Sequence, residues 1–287
     1  MTHFRPRRAA ARLLLVAAAA VLASACTVSE DRETEIGARS SAQVNAQLPL
    51  VTDPVVVRYV TDLGLDIARR TSRGELDWRF YVIDSPEVNA FAMPGGFIYV
   101  NRGLIERTGQ LDELAGVLGH EIGHVVRRHS VRQMEEAQRT NLGVSLVCSF
   151  TDACKSDAAQ AAINVGGAAL FARNSRLDEL QADSEAVANV IRAGIDPDGI
   201  PSMFERLLAE RQASPTALDG FFASHPLEER RIDAARRLID AYDPAELEGL
   251  VTDAPEFHDF QARLRSLPRA PAPPPARQAR QALPPRP

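Results

Sequence analysis

Residues 111–129 read LDELAGVLGHEIGHVVRRH, one amphipathic helix carrying two histidines and a glutamate in the order His120, Glu121, His124. Residues four apart on an α-helix share a face, so His120 and His124 can offer two imidazoles to a single ion while Glu121 projects beside them. Zinc at a catalytic site takes three protein ligands and leaves a fourth position to water, whose pKa it lowers toward about 7. A carboxylate next to that position can take the proton as the water attacks a peptide carbonyl. The pattern therefore predicts a zinc hydrolase site, with His120 and His124 as ligands and Glu121 as general base.

The third ligand decides the subclass. A Gly at position 127 and a His at 130 would place a third histidine after the motif, but those positions are Arg127 and Ser130, which excludes the metzincin arrangement. His129 lies five residues past His124, on a different face of a continuous helix, and reads as a helix-end histidine. Glu179 in the stretch Asp178-Glu179-Leu180-Gln181-Ala182-Asp183 is the better candidate. On a helix, Glu179 and Asp183 are one turn apart, so a ligand and an acceptor for a ligating histidine can come from one face.

Working outward, Asp53-Pro54 reads as a cap and first-turn proline opening a helix with Val56, Tyr59, Val60, Leu63 and Ile67 on one face. Residues 77–84 (DWRFYVID) alternate as a strand does, and residues 97–100 (FIYV) after Gly95-Gly96 form a second short apolar run. The class is α+β, mainly α-helical, with a small mixed sheet beside the motif helix. Two apolar stretches, residues 142–150 and 158–172, fall short of the roughly 20 residues a membrane span requires and read as packed helices.

The start of the chain differs from the rest. Arg5, Arg7, Arg8 and Arg12 precede the unbroken apolar run of residues 13–22, and Ala23-Ser24-Ala25 closes it, the pattern of a secretory signal over residues 1–25. Its removal takes four of the 33 basic side chains and none of the 38 acidic ones, leaving a net charge of −9. That balance argues against nucleic-acid binding, which needs a basic face. Cys26 then begins the mature chain, and small residues followed by Cys at an export junction are similar to a bacterial lipoprotein signal; simple cleavage after Ala25 is the alternative. Cys148 and Cys154 read as a disulfide in an oxidising exported compartment, the alternative being two independent small core residues. The expected organisation is a tether over 26–42 running into the first helix, a catalytic domain over 43–250, an extension over 251–267, and a disordered tail over 268–287, where eight Pro and four Arg leave almost nothing to bury.

Four ordered stretches carry a family resemblance: Val88 to Gly96 (VNAFAMPGG), His120 to His124 (HEIGH), Glu179 to Asp183 (ELQAD), and Ser224-His225-Pro226 followed by Arg231-Ile232. Together they resemble the zinc metallopeptidase family that includes the CAAX prenyl proteases, the HtpX heat-shock proteases and the periplasmic proteases of BepA and LoiP type. The resemblance implies a gluzincin-type domain binding one zinc ion through His120, His124 and Glu179, with Glu121 as base and Asp183 orienting a ligand histidine. It also implies that His225 lies on a late loop over the metal, that Arg231 is the basic residue following it, and that Asn89, Ala90, Phe91, Gly95 and Gly96 border the cleft where an extended substrate adds as a strand. Integral-membrane members carry spanning helices around the motif and the BepA type carries a helical repeat domain after it. The picture implied here is the compact periplasmic lipoprotein, anchored through Cys26 to the outer membrane.

Two functions from different classes follow. One is an endopeptidase acting on unfolded or misassembled envelope proteins; the other is a chaperone-like assembly factor whose protease site is silenced, for instance by His225 capping the metal. A structural zinc protein fits poorly, because structural sites are closed by four protein ligands and Glu121 would be idle. His225 itself has two possible jobs, an inhibitory fourth ligand or a hydrogen-bond donor to the oxyanion.

Overall fold

In the computed structural model the described residues are 27–150, 175–213, 218–225 and 229–270. The signal segment, Cys26, Cys154 with its pairing to Cys148, the stretch 158–172, Pro226 and residues 271–287 lie outside them.

Helix α1, Glu30–Gln47, starts where the Ser29 side chain accepts from the Arg32 amide, and three acidic residues in its first turn suit the positive end of the helix. Leu48 is already extended, one residue before Pro49. Helicity begins at Glu30, within the segment 26–42 expected to run from a tether into the first helix, and Glu33, Gly37 and Ser41 form a stripe that buries against the body of the protein. Helix α2, Pro54–Ala68, opens as its sequence dictates: Asp53 accepts from the Val55 and Val56 amides and Pro54 occupies the first turn. Its Val56, Val60, Ile67 and Ala68 are buried.

The three strands are β1 (Arg79–Ile83), β2 (Ala90–Met93) and β3 (Phe97–Asn101), in the order β1-β3-β2. β1 pairs parallel to β3 and β2 pairs antiparallel to it, giving the mixed sheet that the alternation predicted. The additional strand, β2, reverses into β3 through Gly95 and Gly96, whose φ values of 79° and 97° lie in the left-handed region where a side chain is strained. A short helix, α3 (Arg102–Ile105), leads to the motif helix α4, Leu111–Val126.

Every residue of α4 from Asp112 to Val125 is buried, which makes it the central element rather than a surface amphipath. It ends earlier than the sequence suggested. Arg127 closes it, Arg128 takes φ 55°, and a new helix, α5 (His129–Phe150), starts at the next residue. α4 packs along α6, Arg176–Arg192, at short range: a Cβ on Gly123 would come 2.8 Å from the Ala182 carbonyl oxygen. The capping box of Ser175 and Asp178 fixes where α6 begins, and so the phase at which Glu179 and Asp183 face α4. α7 (Gly199–Ala213), α8 (Asp219–Ser224) and α9 (Glu229–Ile239) follow, with α7 against α4 and α9 against both α6 and α7. After α10 (Pro244–Leu247), α11 (Pro255–Ser266) returns to α2. Phe260 stacks on Tyr59 at 4.3 Å, and Phe257 and Leu264 are fully buried, so residues 255–266 share the main core. No helix among the described residues is long and apolar enough to cross a membrane.

Candidate metal centre and active site

One helical turn separates His120 from His124 on α4, and their Nε2 atoms stand 3.0 Å apart. α6 brings the Glu179 carboxylate to them, with Oε2 3.5 Å from His120 Nε2 and Oε1 3.4 Å from His124 Nε2. His225, the residue closing α8, adds a fourth atom: its Nδ1 lies 3.3 Å from His120 Nε2 and 3.3 Å from each Glu179 oxygen. All four side chains are buried.

These separations can be tested against a metal. Nitrogen and oxygen donors about 2.0–2.2 Å from a tetrahedral zinc ion sit about 3.3–3.5 Å from one another, and the measured separations scatter around that value. The outer ring nitrogens point to the same conclusion. His120 Nδ1 is 2.8 Å from Asp183 Oδ1 and donates to it, and His124 Nδ1 is 2.7 Å from His129 Nδ1. With both Nδ1 atoms used as donors, both Nε2 lone pairs converge on the Glu179 carboxylate, an arrangement that calls for a positive charge between them. The residues fit a divalent cation, and the N, N, O donor set suits zinc.

Electrostatics around the cluster are strongly polarised. Burial opposes charge on His120, but the hydrogen bond to Asp183 and the nearby Glu179 carboxylate overcome it and raise the pKa to about 9. Burial drives His124 down to about 3, since only Glu179 works to keep it protonated. Glu179 is held far below the usual carboxylate range: burial opposes, but its close contacts with His120, His124 and His225 outweigh it. Arg231 on α9 fixes the acidic side of the site. It binds Asp183 through two hydrogen bonds, Nε to Oδ2 at 2.8 Å and Nη2 to Oδ1 at 2.7 Å, and reaches Glu179 Oε2 through Nη1 at 2.7 Å. Its guanidinium stacks over Phe204 at 4.6 Å, which holds the fork in place.

Glu121 stands beside the ligands. Its Oε1 is 3.5 Å from His225 Nε2, while Oε2 is buried and has no hydrogen-bond partner among the described residues. Burial, first among the causes, raises its pKa and makes it a stronger proton acceptor than a surface glutamate. Gly116, Val117, Ile200, Met203, Phe204 and Phe221 form an apolar wall beside His120, Glu121 and Arg231.

The model of peptidase family M48 matches residues 54–239, which holds the whole constellation. The chain belongs to peptidase family M48. Among curated proteins it is 28% identical over 243 residues to the beta-barrel assembly-enhancing protease of Escherichia coli K12, covering 83% of this chain and 49% of that protein. It is 30% identical over 250 residues to a putative beta-barrel assembly-enhancing protease of Vibrio cholerae, covering 85% and 50%. A mitochondrial metalloendopeptidase OMA1 of Schizosaccharomyces pombe is 28% identical over 209 residues, covering 73% and 59%. The chain thus spans about half the length of the bacterial relatives it matches. Residues 54–239 thus form an M48 peptidase domain.

Of the residues singled out from the sequence, His120, Glu121, His124, Glu179, Asp183, His225 and Arg231 meet within this M48 centre. The cleft-border residues divide. Ala90 and Phe91 lie on β2, which among the described residues has β3 as its one strand neighbour and packs against α4. Gly95 and Gly96 answer a backbone requirement instead, since the Gly95 amide donates to Glu33 and Gly96 packs against Trp78. Asn89 is tied into the sheet, its carbonyl accepting from the Asn101 amide at 2.9 Å. His129 was misread. The helix break at Arg128 swings it back beneath His124, where it is 1% exposed. Gln181, 3.1 Å from His129 Nε2, was passed over altogether. The signal that could have found both is the pairing of a histidine after the motif with a polar residue two positions past Glu179.

Proposed function

We propose that this chain is a zinc-dependent endopeptidase of the bacterial cell envelope that hydrolyses unfolded or misassembled envelope proteins, and that His225 holds it latent until substrate or a partner displaces that residue. The observation that carries the reading is the convergence of His120 Nε2, His124 Nε2 and one Glu179 carboxylate at the spacing of zinc donors, with Glu121 alongside. Zinc, when bound, supplies acidification of a water and polarisation of the scissile carbonyl. The chain's own residues do the rest. Glu121 Oε2 has a free lone pair to accept the proton of the attacking water and can hand it to the departing amine. Asp183 holds His120 in one tautomer, and Arg231 keeps Asp183 and Glu179 ionised and aligned. β2, with a single strand neighbour among the described residues and contact to α4, is suited to receive an extended segment of substrate through main-chain hydrogen bonds, an idea that Ala90 and Phe91 carry better than the two turn glycines.

Latency rests on His225. Its Nδ1 occupies the place of a fourth donor and its Nε2 faces the base, so one imidazole engages both halves of the catalytic apparatus. The envelope setting draws on the export-type start of the sequence and on the bacterial relatives named as assembly-enhancing proteases. The chaperone-like alternative keeps the same His225 contact but never releases it.

Glu121→Gln expressed in the native compartment tests the whole reading. It should hold zinc, lose proteolysis and retain uncleaved envelope proteins on affinity purification. Full proteolysis by the variant would remove Glu121 as base, and retention of no envelope protein would remove the assigned substrate class.

A further inference from the structure

The two imidazoles of the motif are braced differently. His120 leans on a carboxylate, Asp183, itself clamped by Arg231. His124 leans on another imidazole, and that partner reaches it only because the chain leaves helical geometry at Arg128.

On an unbroken helix, residue 129 would sit about 140° around the axis from His124 and could not touch it. The left-handed Arg128 ends α4 and restarts the chain as α5. A non-glycine residue in that conformation costs about 1 kcal/mol or more and persists where surrounding contacts impose it. Here the Arg128 side chain is held on both sides, Nε to Glu33 Oε2 at 2.7 Å and Nη2 to the Val28 carbonyl at 2.7 Å. Glu33 is itself fully buried and also paired with Arg73. His129 is consequently delivered edge to face under His124, ring centroids 4.8 Å apart and planes at 73°.

The hydrogen-bond order follows from who can donate. His124 must keep Nε2 unprotonated to face the metal position, so its Nδ1–H donates to His129 Nδ1 at 2.7 Å. His129 then carries its own proton on Nε2 and donates it to Gln181 Oε1 at 3.1 Å. Arg132 pins the far end by reaching both Gln181 Oε1, at 3.4 Å, and the Asp178 carboxylate. Gln181 and Asp178 flank Glu179 on α6, so the chain of bonds that starts at one ligand ends beside another.

We propose that His129 is the positioning residue for His124: it fixes the tautomer and ring plane of that ligand through a neutral acceptor, while Gln181 fixes His129. His129 touches neither substrate nor reacting atoms. Its loss should act on metal retention, where partners one bond removed from a ligand are typically worth about 10–100-fold in affinity.

This inference rests on the zinc reading of the site, so the experiment separates the two. Mature full-length protein carrying wild type, His129→Phe, His129→Asn or Gln181→Leu is titrated against a chromophoric zinc chelator, and the visible spectrum of each cobalt-substituted protein is recorded. Absence of tight zinc binding in the wild type would sink the zinc reading itself. If the wild type binds, His129→Phe, which fills the space without an acceptor, should bind zinc about 10–100-fold more weakly and give altered cobalt bands. His129→Asn places an amide oxygen near the old Nδ1 and should recover most of that loss. Unchanged affinity and spectrum in His129→Phe would overturn the proposal, as would an Asn variant no better than Phe. Should His129→Phe fail to fold, Gln181→Leu decides: weakened zinc binding supports the relay, wild-type binding overturns it.

Discussion

His225 Nδ1 and Glu179 share the same contact distance, 3.3 Å to each carboxylate oxygen, that separates His225 from His120 Nε2. His225 Nδ1 thus stands equally close to the His120 imidazole and to both oxygens of the Glu179 carboxylate, as a fourth donor beside the ligand cluster. The Phe221 carbonyl accepts from the His225 amide at 2.8 Å, and the Phe221 ring lies 5.3 Å from the imidazole, so that position is built by the last turn of α8.

Removing that ring should therefore open the site. His225→Ala is expected to raise basal cleavage of casein or a peptide. A fall in kcat of about 10²–10³ would instead identify His225 as a donor to the oxyanion. No change would remove both roles.

Metal and base should separate cleanly by mutation. Elemental analysis of the wild type should find about one zinc per chain; the double variant His120→Ala, His124→Ala should hold none, and Glu179→Gln should hold it weakly. Zinc at wild-type affinity in Glu179→Gln would require a different third ligand.

The motif helix carries a pH-dependent stability cost at its other end. Asp112 is 3% exposed, and burial, with the charges of Glu113, Asp196 and Asp253 adding to it, pushes its pKa up to about 7. The folded form thus holds a proton that the unfolded chain releases near pH 4, so this residue lowers stability progressively as pH rises from about 4 to about 7. Asp112→Asn should be more stable than wild type at pH 8, by on the order of 2–4 kcal/mol, with the gap narrowing as pH falls toward 4. Urea unfolding of both proteins at pH 8 and pH 5 measures it; a gap independent of pH would reject the assignment.

Glu33 is expected to be among the costly residues outside the active site. It accepts from Arg73, Arg128 and the Gly95 amide while fully buried. Glu33→Ala removes the close partner of both cations, leaving Arg73 only its 3.9 Å contact with Glu30, and should cost about 3–5 kcal/mol in chemical denaturation. A loss under 1 kcal/mol would mean that the two arginines reach water once the carboxylate is gone.

Reading the chain from sequence recovered what repeats locally. His120, Glu121 and His124 lie within five residues, α2 announces itself through Asp53-Pro54, and the alternation of residues 77–84 finds β1. Glu179 and Asp183 came forward as an acidic pair one turn apart and gained their roles from the family resemblance, while His225 and Arg231 rested on that resemblance alone, because a histidine before a proline is common and carries no local signal of where it docks. What escaped depends on long-range contacts. The helix break at Arg128 is invisible locally, since Arg is a good helix former; it is held by Glu33, 95 residues away. The burial of α1 escaped for the same reason, as its polar stripe becomes a buried face only against Arg73 and Gly95. β2, four residues long and followed directly by Pro94 and Gly95-Gly96, carries too short an alternation to stand out as a strand.

The N-terminal anchorage of Val28 sets a distance. Its amide donates to Glu135 at 2.8 Å and its carbonyl accepts from Arg128, so the chain is already fastened to the enzyme two residues after Cys26. Two extended residues span about 7 Å. If Cys26 carries acyl chains, the enzyme has almost no leash: it sits flush on the bilayer with a fixed side facing down, and the proteins within its grasp are those whose loose segments lie within a few ångströms of the lipid headgroups.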